Sequence, residues 1–222
     1  MRKINALFLL FACLNWVPLA AFLGWLTYRE VRTGDPETGR LYFTDIVVEL
    51  ESSSTTLIGV MTTFSYTWLV LAGVCAAVLS HIRRRQGNET QAIRFWSCAA
   101  VVFVLAGLDE RFSWHEAAGL LLGINDTLIV AIYPLLAVLA AWGARSEIAK
   151  FRKNGWLLAP VVLGTLVTLG ADAVGGERPF RLLVEDGSKV IAASSLFLLV
   201  LKCLFDDLDC LILRPRASEP LD

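Results

Sequence analysis

The sequence predicts an all-α integral membrane bundle of six transmembrane helices with both termini inside. Three observations carry that prediction. Hydrophobic residues make up 56% of the chain, and mean hydropathy is +0.60, well above globular usage. The apolar residues fall in runs long enough to cross a hydrocarbon core, which takes about 20 helical residues. Lysine and arginine also concentrate on one side of the alternation those runs define. With 222 residues, six helices and their connections use up the chain. Residues 1–222 therefore read as a single transmembrane domain.

The elements follow in order. Residues 4–27 form the first span, too long for a signal-peptide core and without a small-residue cleavage pattern. Pro18 is expected to kink it. Residues 28–54 are an acid-rich connector with a turn at Gly34-Asp35-Pro36. The second span, 57–80, ends at His81 and Arg83-Arg84-Arg85. The third, 95–116, runs into Leu108-Asp109-Glu110-Arg111-Phe112-Ser113-Trp114-His115-Glu116. Asp126 or Thr127 then caps the fourth span, 127–143, which Tyr133-Pro134 should bend. A basic loop leads to the fifth span, 156–172, where Gly164 is a small packing residue. A turn-rich connector leads to the sixth, 188–206, which carries Ser194-Ser195.

Orientation rests on the basic residues. Thirteen of the 20 lie on the side of both termini: Arg2, Lys3, Arg83, Arg84, Arg85, Arg94, Arg145, Lys150, Arg152, Lys153, Lys202, Arg214 and Arg216. The other seven lie outside. This places the Asp109–Glu116 stretch on the outer face; the membrane expected is a bacterial cytoplasmic one. Net charge is -1, so no basic surface points to nucleic acid. The partners implied are membrane lipids. The five cysteines include no Cys-x-x-Cys pair, which argues against a disulfide framework or a zinc knuckle. They read as small apolar packing residues. The tryptophans largely sit near span ends, as interfacial anchors do.

The chemistry-bearing stretch is Asp109 to Glu116. It holds three carboxylates, an arginine and one of only two histidines. Ionisable groups at membrane depth are costly and mark function by default. Acids also stand at other outer helix ends: Glu49 and Glu51, Asp172, and Glu185-Asp186 with Lys189 one turn on. If the third helix continues through the motif, Asp109, Ser113 and Glu116 share a face. Three readings compete with a structural ion cluster involving Arg111. Asp109, His115, Glu116 and Asp186 suit a divalent metal ion. Carboxylates and a histidine at this depth suit a proton or cation relay. Neighbouring carboxylates whose pKa values split suit acid–base catalysis. His81 belongs to the inner side and cannot join a zinc site here. Asp206-Asp207-x-Asp209 resembles a fragment of a cation loop but lacks its glycine and distal glutamate.

Leu108-Asp109-Glu110, four residues, His115-Glu116 and a late Glu185-Asp186, with Glu51 and Thr55 before the second span, resemble a group of uncharacterised bacterial multi-pass membrane proteins. The resemblance implies that Asp109, Glu110, His115, Glu116, Glu185 and Asp186 form one site, and it implies no reaction. Lys189 stands where that group is expected to have another acid.

The leading expectation is an enzyme acting on a lipid or lipid-linked substrate from the outer face, with metal assistance as one option. Asp109, Glu110, His115, Glu116 and Glu185 are the catalytic candidates. Arg111 and Lys189 are the candidates for holding an anionic substrate group. The alternatives are a small proton- or cation-coupled transporter and a non-catalytic accessory subunit.

Overall fold

The computed structural model describes residues 2–33, 60–87, 90–174 and 181–213. Among these, every regular element is a helix: α1 (Arg2–Thr33), α2 (Val60–Arg85), α3 (Thr90–Phe112), α4 (Trp114–Leu122), α5 (Asp126–Val130), α6 (Ile132–Gly143), α7 (Arg145–Lys153), α8 (Gly155–Val174) and α9 (Arg181–Leu213). The expectations at Asp35, Glu49, Glu51 and Thr55 lie outside the described residues.

Among the described residues, four helices are long and apolar enough to cross a membrane: Ala6–Thr33, Met61–Arg85, Thr90–Phe112 and Leu183–Leu211. A fifth span results if the pair Glu147–Lys153 and Gly155–Ala171, bent by 97°, is taken as one. The six spans read from the sequence are therefore matched only in part. α1 runs unbroken through Pro18. The third expected span stops at Phe112, because Ser113 adopts the left-handed conformation with φ 48. The fourth is split between Val130 and Ile132. Pro134 lies just beyond that break; it lacks an N–H, and its ring conflicts with the carbonyl four residues back. Helix α5 begins at Asp126, so Asn125, not Asp126 or Thr127, flanks it.

The centre of the molecule is apolar. Phe8, Ala72, Ala76, Leu79, Phe95, Trp96, Leu157 and Leu198 pack together in a buried cluster, and Trp68 stacks on Phe197 at 5.0 Å. Ala72, Ala76, Leu79 and Leu198 of this cluster fall in stretches lacking charge: Leu69–Leu79, Cys98–Leu108 and Leu196–Leu201. Close approach of helices depends on small residues. A side chain at Gly164 of α8 would meet Ser188 O of α9 at 2.8 Å. Ser194 and Ser195 are fully buried, and the Ser194 hydroxyl donates to Asn15 Oδ1 at 3.1 Å.

Trp96 departs from its expected place at the interface. It is buried, and its indole N–H donates to Glu147 Oε2 at 2.9 Å. The five cysteines are free: Cys203 is buried, while Cys13, Cys98 and Cys210 are exposed along apolar helices.

Candidate functional site

The left-handed residue Ser113 organises the site. It ends α3 and turns the chain so that α4 starts immediately. The N–H groups that open a helix have no partner of their own. The buried Asp109 supplies one, since its Oδ1 accepts the His115 backbone N–H at 2.7 Å. The same turn brings the imidazole back over the carboxylate. His115 Nδ1 lies 3.1 Å from Asp109 Oδ2. That is ion-pair distance, with an alignment short of a hydrogen bond.

Burial opposes charge on His115, but the adjoining Asp109 carboxylate outweighs it, with Glu116 adding and Lys189 opposing. The net effect holds the imidazole pKa above its ordinary 6.5. Glu116 itself points outward: its side chain is 60% exposed, and its Oε1 lies 4.0 Å from His115 Nε2. The shared face expected for Asp109, Ser113 and Glu116 is thus lost at the Ser113 turn.

Asp109 and His115 open onto a cavity of about 180 Å³ between α2, α3, α6, α8 and α9. Glu110, Tyr133, Thr165 and Lys189 also line it, among apolar residues such as Leu69 and Leu196. Tyr133 interacts with the Asp109 carboxylate. Lys189 is bound from its own helix, at 3.0 Å from Asp186 Oδ1 and 3.3 Å from Glu185 Oε1. Below it, Thr168 of α8 shares a 2.7 Å hydrogen bond with Ser188 of α9 and donates to the Glu185 carbonyl at 3.2 Å. This polar ladder fixes the two helices that form the cavity wall.

The cavity gathers Asp109, Glu110, His115 and Lys189 as its lining, with Glu185 and Asp186 one layer behind on Lys189. Glu116 and Arg111 are not part of the lining. Lys189 is already held by two acids, which weakens its expected role toward an anionic group. Among the described residues, no group of three or more His, Cys, Asp or Glu could hold a metal ion. The four residues expected as a metal shell, Asp109, His115, Glu116 and Asp186, are not gathered at one point: Glu116 faces outward and Asp186 lies 3.0 Å from the Lys189 ammonium. Sequence reasoning missed Tyr133, Thr165 and Thr168 as lining residues. Two threonines three residues apart in an otherwise apolar span were the available signal.

A second ionic cluster, also missed, closes the opposite end of the bundle. Arg83 of α2 reaches Asp207 of α9 at 2.6 Å and Glu147 of α7 at 3.7 Å. Lys150 lies 3.3 Å from Glu147 and 3.5 Å from Asp207. Arg83, Glu147 and Asp207 are all buried. Asp207 thus belongs to an ion-pair network and not to a cation loop.

No curated protein and no solved structure matches the chain. A family model does match, over residues 7–203, a stretch that takes in the cavity and, apart from Asp207, both ionic clusters. The chain belongs to that family, described as Domain of unknown function (DUF8692).

Proposed function

We propose that the protein is a six-span enzyme of a bacterial cytoplasmic membrane, with both termini inside. In this reading α5 and α6 together form one broken span, α7 lies along the inner surface, and the cavity opens near the outer face. The reaction is acid–base chemistry on a lipid or lipid-linked substrate. His115 exchanges the proton, and Asp109 orients the imidazole and stabilises its charged form, much as a carboxylate does for a catalytic histidine elsewhere. Tyr133 and Glu110 contact the reacting group. The apolar walls receive the adjoining part of the lipid.

One observation carries the proposal: a buried carboxylate 3.1 Å from an imidazole, both lining a cavity among membrane-length helices. The charge-free belt beneath that cavity favours a closed reaction site over a relay through the bilayer. The resemblance to bacterial multi-pass proteins with the same Leu-Asp-Glu and His-Glu motif supports the setting.

The test is mass spectrometry of lipids after incubating the purified protein in nanodiscs made from total bacterial lipid extract. The wild type should convert a lipid species that Asp109→Asn and His115→Gln convert roughly 100-fold more slowly or worse. Identical lipid profiles for all three proteins would overturn the enzyme reading. Proton flux in proteoliposomes that Asp109→Asn abolishes would put a relay in its place.

A further inference from the structure

The end of the bundle opposite the cavity has its charges sorted by sign. Its buried acids, Glu147 and Asp207, are consumed by Arg83 and Lys150. Its exposed charges are mainly basic. Arg84 and Arg85 close α2, Arg94 opens α3, and Arg152 and Lys153 close α7. None of the five makes an ion pair with a described residue. The exposed acid Asp206 is tied to Lys202.

The fold brings these five cations to one end of the bundle. The Gln86-Gly87 turn follows α2 only a few residues before α3 begins, so Arg84, Arg85 and Arg94 sit at the same end. Helix α7 is pinned there by Arg83–Glu147, by Trp96–Glu147, and by Phe151 packed on Phe95 and Trp96. It meets α8 at 97°. If α8 crosses the membrane, α7 therefore runs along its surface. Asn154 makes the corner: its N–H closes α7 on the Phe151 carbonyl, and its own carbonyl accepts the Leu157 N–H that opens α8. Trp142 and Trp156, both exposed, flank α7 in the chain, where an indole would sit at headgroup level.

This geometry points to a docking face for anionic phospholipid headgroups, formed by Arg84, Arg85, Arg94, Arg152 and Lys153 around the in-plane helix α7. Charge complementarity carries the assignment. Unpaired basic side chains beside a membrane attract an anionic leaflet, and each adds to the binding. A set of cations serving only as a topology signal need not be held on a rigid surface. Here a buried ion network holds the helices that present them.

The test compares the full-length protein in nanodiscs of phosphatidylcholine alone and of phosphatidylcholine with a minority of phosphatidylglycerol. The wild type should melt at a higher temperature in the mixed bilayer. That gain should vanish near 1 M salt, where the screening length falls to about 3 Å. In native mass spectrometry it should retain phosphatidylglycerol roughly tenfold or more over phosphatidylcholine. The variant Arg84→Gln/Arg85→Gln/Arg152→Gln/Lys153→Gln alters only exposed side chains and should lose both preferences while keeping its helical circular dichroism. Equal behaviour of the wild type in the two bilayers would overturn the proposal, as would an unchanged preference in the folded variant. The wild-type salt dependence decides the matter even if the variant does not fold.

Discussion

Asp109 serves His115 twice, through the backbone N–H and through the ring, and the two services separate on substitution. Asp109→Asn keeps an acceptor for the N–H and removes the charge. Because the folded His115 pKa is raised above 6.5, its protonation stabilises the fold fully below that value. The contribution is lost as pH rises through the raised folded pKa. Melting temperature should therefore fall across that window above 6.5 in the wild type and stay flat there in Asp109→Asn and His115→Gln, as followed by a pH series in detergent. Equal slopes in all three would remove the ion pair as a source of stability. At the other end, Asp207→Ala removes the nearest partner of the buried Arg83, leaving it the longer contact to Glu147, and should cost about 3 kcal/mol. Arg83→Met combined with Asp207→Leu should cost much less, since a buried ion pair is weak in net terms; chemical denaturation measures both. Asp109 and His115 were legible because charge inside an apolar run stands out. Their contact was not, because it depends on the φ angle of Ser113. The Arg83–Asp207 pair joins residues 124 positions apart, and a single sequence gives no sign of such a partnership.

Helices α3 and α4 carry two apolar runs joined through the charged Asp109–Glu116 stretch and cut at Ser113, and the cut places His115. A non-glycine residue in the left-handed region is strained by about 1–2 kcal/mol. Ser113→Gly should therefore melt at the same or a higher temperature, and Ser113→Val at a lower one. The reverse order would mean that the turn does not hold this conformation. Between α8 and α9, Gly164→Leu should force the helices apart, break the Thr168–Ser188 hydrogen bond and cost about 1–3 kcal/mol; Gly164→Ala should show a smaller loss in the same melt. Element identity was readable from hydropathy, and so was the role of Gly164 as a packing residue. The bends were less so. Pro134 announced the break in the fourth span, whereas the corner at Asn154 had no comparable marker. A short basic stretch reads equally well as a loop or as the helix it forms.

Among the described residues, the bundle carries an ionic cluster at each end, with the uncharged stretches Leu69–Leu79, Cys98–Leu108 and Leu196–Leu201 between them. Its orientation is open to direct measurement. In a cysteine-free background, Leu122→Cys should react with an impermeant thiol reagent from outside intact cells, and Arg152→Cys only after permeabilisation. Labelling of both from the same side would overturn the assignment. Among the described residues, four or five membrane-length helices match in part the six spans read from the sequence; residues 127–143, apolar enough to read as one span, fold as two helices. The charge-free belt between the cavity and the Arg83 network has a further, electrical consequence. The voltage across an energised membrane drops mainly through material that holds neither water nor ions. Moving one charge through that drop changes its energy by about 2.3 kcal/mol per 100 mV. A charged headgroup reaching the cavity stops short of the belt and crosses little of the drop. Its affinity should therefore be almost the same in a resting cell as in a depolarised one.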